Sequence, residues 1–397
     1  MTMFNQTKDE LQRGAVSVWE RHGRKGTIAG ATGVGKSRMA VLAAESLEPW
    51  DGKQQDILIV TPTEVLRDEN WPAELVQWST ALEQARVLIV CYASVSKVRG
   101  YKFKLVIFDE VHHLTTLSAK LYDNNLIFAT LGLTATPPKE LADPIKYAII
   151  REFAPVIFKY SLDQGVEDKI VADFDIFVVM DSLDSVSINI PAGTKDKPFL
   201  TTESAAYQHL SKIINSMQMR GVPANSLKFM QLKRFRFLCA LPSKQRLAKY
   251  ILDRLPVDKR IITFFGSIEQ ANVTMGEDVF HSKVKKGKKL RSKLEDFKEK
   301  VIDRIGVVNA VDEGHNIPDL DIAFIVQTNS NSRTIVQRIG RVVRIRPDHK
   351  ALVIVLCTQG TQDESWVKKA LEDINPQRIT RVMSSEIYTG KFFAERF

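Results

Sequence analysis

Two short stretches constrain this chain more than anything else in it. The first, Gly30-Ala31-Thr32-Gly33-Val34-Gly35-Lys36-Ser37, follows a β-rich run (Gly26 to Ala29) and opens a helical stretch from Ser37 to Leu47. Glycines at that spacing let successive backbone N–H groups curl round phosphate oxygens, and a helix N-terminus adds its partial positive charge. The lysine can reach β and γ phosphates, and the serine hydroxyl can meet Mg²⁺. Alone, the octet predicts a phosphate binder. The second stretch, Val106 to His112 (VIFDEVH), ends an apolar strand in Asp109 and Glu110. An aspartate there can hold hydrated Mg²⁺ while its neighbour polarises a water, the division of labour that phosphoryl transfer needs. Together they predict nucleotide hydrolysis, with Gly33, Gly35, Lys36, Ser37 and Asp109 on nucleotide and metal and Glu110 on the water.

A third element lies far downstream. In Gln337-Arg338-Ile339-Gly340-Arg341-Val342-Val343-Arg344, Arg341 and Arg344 are three apart, on one face of a helix. A guanidinium is always charged and can neutralise charge developing on a γ phosphate, an effect of about 10³ to 10⁵ in rate in other nucleotidases. Most arginine pairs are a solvated basic face. Conjunction with the two upstream stretches favours the catalytic reading.

The first 150 residues alternate β-rich runs (Gly26 to Ala29, Asp56 to Val60, Arg86 to Val90, Lys104 to Phe108, Phe128 to Leu133) with helical stretches. That is the pattern of an α/β fold with a parallel sheet covered on both faces. Residues 151–242 are less regular: a strand at Phe174 to Met180, a turn-rich connection from Asp181 to Pro198 and a helix from Ser204 to Met219 read as a helical linker or insertion. Phe229, Phe235 and Phe237, interleaved with basic residues, could stack on bases but read as core. From 243 to 397 the alternation resumes without a second phosphate loop. The expectation is two tandem parallel-sheet domains, one gripping nucleotide and the other bringing Arg341 and Arg344 across a cleft that closes and opens.

Composition limits the classes. With 397 residues, 44% apolar and 26% charged, the chain is globular and long enough for two cores. No run is long enough to span a bilayer and no secretory leader is visible, while Cys91, Cys239 and Cys357 are scattered in apolar stretches as reduced core thiols would be. His112 and His113 lack zinc spacing. A cytoplasmic protein is expected. The net charge of +9 favours a polyanion partner. From Lys283 to Lys293 there are seven positive charges and no negative one, and from Ser204 to Leu252 no Asp or Glu occurs. The first of these runs is expected to be a phosphate-contacting loop, with Lys285, Lys286, Lys288 and Lys289 in contact. Such contacts position a strand without reading its sequence.

These motifs, in this order, resemble superfamily 2 helicases of the DExH type, and the resemblance covers most of the chain. It implies two RecA-like domains, ATP and Mg²⁺ as cofactors, and nucleic acid as partner. Gln12, in Gln12-Arg13-Gly14-Ala15-Val16, is similar to the glutamine that reads the adenine edge. Thr61-Pro62-Thr63 resembles the first nucleic-acid backbone contact, and Thr134-Ala135-Thr136 the motif that couples hydrolysis to domain movement, with His112 relaying nucleotide state. Asp312 to Pro318, including Gly314, looks like the second-domain element that touches nucleotide and strand, although Asn316 stands where many relatives carry aspartate. Gln337, Arg341 and Arg344 match the family's arginine-finger motif.

The compact layout looks most like the recombination and repair branch, of the UvsW, RecG and XPB types. It implies an ATP-dependent motor on single-stranded, forked or branched DNA. A phage-encoded member would work in the host cytoplasm. An RNA helicase is the alternative on the same motifs, and RNA the alternative polymer. A motor subunit of a restriction-type complex is another; the short stretch after Arg344 holds no nuclease, so this needs a partner. A nucleotide-gated binding protein would not need Glu110 or the arginines. Oligomeric state is left open by the sequence, a monomer included.

Overall fold

The computed structural model describes residues 3–48, 55–79, 82, 86–194, 196–281, 288–308, 320–329, 338–340 and 350–396. Among them the chain divides into two compact units, one ending at Asp173 and the other beginning at Phe174.

In the first unit, helix α1 (Met3–Arg21) leads into β1 (Lys25–Gly30) and α2 (Lys36–Glu45), followed by β2 (Ile57–Thr61), α3 (Trp71–Trp78) and β3 (Val87–Cys91). After these come β4 (Lys102–Phe103), β5 (Leu105–Phe108), β6 (Leu126–Ile127), β7 (Thr130–Thr134) and β8 (Val156–Tyr160). β4 and β6 make a small pair of their own. The main sheet has the order β3-β2-β5-β7-β1-β8, with every neighbour parallel. β2 (ILIVT) and β5 (LVIF) are buried along their whole length, as strands covered on both faces by helices must be, and their branched apolar side chains suit that position. Ala29 pairs with Thr134 and Val60 with Phe108. The loops that follow β1, β2, β5 and β7 therefore emerge along one edge of the sheet.

The second unit holds β9 (Phe174–Asp181), β10 (Ile190–Thr194), β11 (Lys197–Thr201), β12 (Ile261–Phe265), β13 (Val279–His281), β14 (Arg304–Val308), β15 (Ile322–Ile325), β16 (Ala351–Thr358) and β17 (Ile379–Met383). Its main sheet has the order β13-β14-β12-β15-β16-β9-β17, again parallel throughout. The two units are thus a pair of RecA-like parallel-sheet folds.

The stretch from 151 to 242 is shared between the units. β8 pairs with β1 at the edge of the first sheet, and β9 sits between β16 and β17 in the second. The reason for the latter is burial: FDIFVVM is apolar on both faces, and only an internal strand hides both. The connection read as turn-rich contains the antiparallel pair β10-β11. Helices Glu203–Met219 and Ala224–Cys239 follow, with Tyr207, Leu238 and Leu241 forming a small core that includes Phe237 and Trp366. Phe235 meets Trp366 edge-on at 5.8 Å. Phe229, read as core with them, is instead 65% exposed.

The basic segments also differ from expectation. Residues 283–287 lie outside the described residues, but from Lys288 the run is helical, as Lys288–Lys298, and not a loop. Lys293 pairs with Asp278 at 2.5 Å, and that hydrogen bond raises the ammonium's pKa. Lys244, within the acid-free stretch from Ser204 to Leu252, is buried at 1% exposure. Its ammonium donates to Gln327 Oε1 at 2.9 Å and to the Asp363 carboxylate, itself at 0% exposure. Burial in that neighbourhood pushes the thiols of Cys239 and Cys357 up to about 12. Among the described residues no helix is long and apolar enough to cross a membrane.

Candidate functional site

The phosphate loop leaves β1 at Gly30 and enters α2 at Lys36. Gly33 and Gly35 have φ of +93° and +87°, the left-handed region that a side chain resists. Gly35 caps α2 in that conformation. There is no room for a Cβ on it, because one would lie 2.2 Å from Gln12 Nε2.

Side chains from α1 bind the outside of this loop. Gln12 Nε2 donates to Val34 O at 2.8 Å and Lys8 Nζ to Gly33 O at 2.8 Å. Gln12 Oε1 accepts from Arg38 on α2, and Arg38 also pairs with Asp9. Hydrogen bonds from Arg13 and then Arg38 hold the Asp9 carboxyl below its ordinary pKa. Gln12, matched to an adenine reader, is only 2% exposed, and these polar contacts brace the phosphate loop. Lys36 Nζ donates to the carbonyls of Gly30, at 3.1 Å, and Ala31, at 3.4 Å, which keeps the ammonium at the loop.

Two places along the sheet, β5 ends in the acidic pair. Asp109 N donates to Val60 O at 2.9 Å, and the Asp109 carboxylate accepts from the Trp71 indole at 2.9 Å through Oδ2. At Glu110 the backbone takes φ 48° and ψ 59°. A left-handed turn at a non-glycine residue costs about 1–3 kcal/mol and is kept where the surroundings impose it. Here the tight turn Val111–His113 follows at once, with His113 N bonded to Glu110 O at 2.9 Å.

β7, lying between β5 and β1, supplies Thr134. Its hydroxyl donates to Glu110 Oε2 at 3.3 Å and accepts from Thr136 N at 3.1 Å, while His112 Nδ1 lies 3.0 Å away. A hydroxyl has one proton, so while it is shared with Glu110 the His112 ring can bond the same oxygen only as the tautomer protonated at Nδ1. His112 Nδ1 also lies 3.4 Å from Glu110 Oε2. The carboxylate is thus fixed by two residues that the sequence singled out for coupling.

The hydroxyl of Ser37 and the carboxylate of Asp109 offer hard oxygen donors. No cluster of three or more His, Cys, Asp or Glu able to hold a metal occurs among the described residues. Few protein ligands, all oxygen, fit Mg²⁺, which keeps waters and takes one or two carboxylates plus phosphate oxygens.

Residues 2–139 match the family model described as "Type III restriction enzyme, res subunit", and residues 243–346 match "Helicase conserved C-terminal domain". The chain is a superfamily 2 helicase. It is 25% identical over 384 residues to the "DNA 3'-5' translocase XPB2" of Sulfurisphaera tokodaii, covering 89% of this chain and 82% of that one. It is 23% identical to the "Putative DNA 3'-5' helicase Rad25" of Haloarcula marismortui, covering 91% of this chain but 54% of the relative. Among solved structures, the fold resembles an ATP-dependent Type ISP restriction-modification enzyme, LlaBIII, bound to DNA, with a TM-score of 0.60 and 14% identity. That match covers all of this chain and 32% of the other. Dbp5 of S. cerevisiae, bound to RNA and ADP BeF3, has a TM-score of 0.59 at 15% identity, covering 97% and 92%.

In the helicase Thr61 ends β2, and Pro62 and Thr63 begin the loop after it. Thr61 is fully buried, Pro62 and Thr63 are half-buried, and the Thr63 hydroxyl accepts from Leu66 N at 3.3 Å. Gly314, Gln337, Arg341, Arg344, Lys285 and Lys286 lie outside the described residues; Lys288 and Lys289 open the helix noted above. Of the neighbouring motif residues, Arg338 is described: it donates to Gln327 O at 3.4 Å and lies 4.5 Å over the Phe264 ring.

Sequence reasoning missed Trp71, Arg38, Lys8 and Tyr92, whose hydroxyl donates to Asp109 O at 3.0 Å. Arg38 directly follows Ser37 on α2 but belongs to no motif, and Lys8, Trp71 and Tyr92 reach the site from elements distant in the chain, so none carries a spacing signal. Gly35→Ala tests the loop geometry. A left-handed alanine costs about 1–2 kcal/mol, and its methyl displaces Gln12, so nucleotide affinity should fall at least about tenfold, equivalent to ~1.4 kcal/mol. Fluorescent-nucleotide titration checks this; wild-type affinity would show that the loop tolerates a side chain.

Proposed function

We propose that this helicase hydrolyses ATP with Mg²⁺ to translocate on DNA and remodel it at forks, junctions or displaced strands. The observation that carries the reading is the nearly end-to-end match to a DNA 3'-5' translocase. The braced phosphate loop and the fixed Glu110 carboxylate support hydrolysis as its driving reaction.

In this mechanism the N–H groups of the loop from Gly30 to Ser37 cradle phosphate oxygens and Lys36 neutralises them. Ser37 and Asp109 would hold the metal. Bound Mg²⁺ would offset charge on the β and γ phosphate oxygens. Glu110 orients and polarises the attacking water, held in place by Thr134 and His112, so that movement of β7's end is felt at the carboxylate. We retain Gln337, Arg341 and Arg344 as groups acting on the γ phosphate, Gly314 as a nucleotide contact, and Pro62, Thr63 and the lysines 285, 286, 288 and 289 as strand contacts. Gln12 is assigned to bracing the loop. A preference for branched substrates would place the helicase in DNA repair or recombination.

ATPase rates measured with single-stranded, duplex, forked and four-way DNA, and with RNA, test this reading. Stimulation by branched or duplex DNA is expected. Stimulation by RNA alone would replace it with an RNA helicase, and no stimulation by any polymer would remove the motor.

A further inference from the structure

We propose that Trp71 is a positioning residue that orients the Asp109 carboxylate for the metal and links it to the strand-contacting loop after β2. The inference rests on the reading of Asp109 as a metal-holding group. Trp71 opens α3 and is 2% exposed, sharing an apolar gap with Ala40, Ala44, Ile59, Leu75 and Ile107. Its one polar atom points at Asp109 Oδ2, at 2.9 Å. A phenylalanine, though smaller, would meet the same apolar lining, so that lining does not itself call for an indole. The indole N–H adds a charge-assisted hydrogen bond from a ring that packing prevents from turning. Partners of this kind, one step removed from a metal, set the plane of the ligating group, and their loss typically weakens metal affinity or activity about 10- to 100-fold.

The second half of the proposal follows from how the chain reaches Trp71. After Thr61-Pro62-Thr63 it forms a single π-helical turn, Leu66–Asn70, and Trp71 is the next residue. Thr63 anchors that turn twice, its hydroxyl accepting from Leu66 N at 3.3 Å and its carbonyl from Arg67 N at 3.1 Å. A π turn is rare and recurs at functional sites. One that relaxes to α geometry rotates everything after it. A strand pressing on Pro62 and Thr63 can thus turn the start of α3, move the indole and reset the carboxylate.

Trp71→Phe removes the N–H and keeps an aromatic side chain, though a smaller one; Trp71→Tyr is a second replacement should the first fold poorly, with folding of each checked by its urea midpoint. The first readout is the Mg²⁺ concentration that gives half-maximal binding of a fluorescent ADP analogue, expected to rise roughly tenfold or more. The second is the ratio of ATPase rate with and without duplex oligonucleotide, expected to fall while oligonucleotide affinity holds. Unchanged Mg²⁺ dependence in a folded variant overturns the positioning role, and an unchanged ratio overturns the link to the strand. Asp109→Asn separates the failures. If it loses Mg²⁺ dependence while Trp71→Phe keeps it, the Trp71 proposal alone is wrong; if both keep it, the metal-site reading falls and takes the proposal with it.

Discussion

Glu110→Gln is expected to lower the ATPase rate by about 10² to 10⁴, the usual contribution of a positioned general base, with nucleotide affinity near that of the native chain. Glutamine has the same shape. Its Oε1 can still accept from Thr134, which donates to the native carboxylate at 3.3 Å, and the left-handed turn at φ 48° needs no change. What is lost is the negative charge that pulls a proton from the attacking water, a contribution made only in the transition state. Steady-state rates beside nucleotide titration separate the two quantities. Turnover close to native would remove Glu110 from the chemistry and leave Asp109 to be explained anew.

The largest effect on stability should come from Lys244→Ala. The ammonium is buried with the Asp363 carboxylate, and Gln327 bridges them, its Nε2 donating to Asp363 Oδ1 at 2.5 Å. Removing one partner strands the other charge in the core, which costs about 3–5 kcal/mol. The double change Lys244→Met with Asp363→Leu should cost much less, because it leaves no orphaned charge. Urea unfolding of the two variants checks the difference. A loss below about 1 kcal/mol for Lys244→Ala, the size of an exposed pair, would mean that water reaches the site. Arg338 donates to Gln327 O, so the single variant should also loosen the start of the arginine motif.

The acid pair, the phosphate loop and their strands were legible because each is local. Val106 to Glu110 carries its apolar run and its carboxylates together, and the glycine spacing of Gly30 to Ser37 states its own backbone geometry. Strand ends fell within two residues of the apolar runs, including β7, which begins at Thr130 and not at Phe128. What could not be read depends on distance. Trp71 and Asp109 are partners across the sheet edge, and nothing in either segment points to the other. Gln12 was matched by analogy to an adenine reader, and its contacts with Val34 and Arg38 come from packing that neither segment announces. β8 escaped because its half-exposed pattern resembles a connection, and only pairing with β1 makes it a strand of the first sheet. Phe229 and Phe235 are alike in sequence context; a tryptophan far along the chain covers one and not the other.

The place of β9 in the second sheet has a consequence for biosynthesis. Phe174 pairs with Ala351 and Ile176 with Ile379, so a strand made near the middle of the chain waits for neighbours that leave the ribosome among the last. The first sheet needs nothing beyond Tyr160 among its paired strands and can close much earlier. Until β16 and β17 arrive, FDIFVVM is an unpaired apolar edge, the kind of segment that recruits other chains. Chaperone dependence and aggregation during synthesis should therefore belong to the second unit, and a ribosome stalled between the two halves of its sheet should release a sticky, protease-sensitive product that already carries a folded phosphate loop.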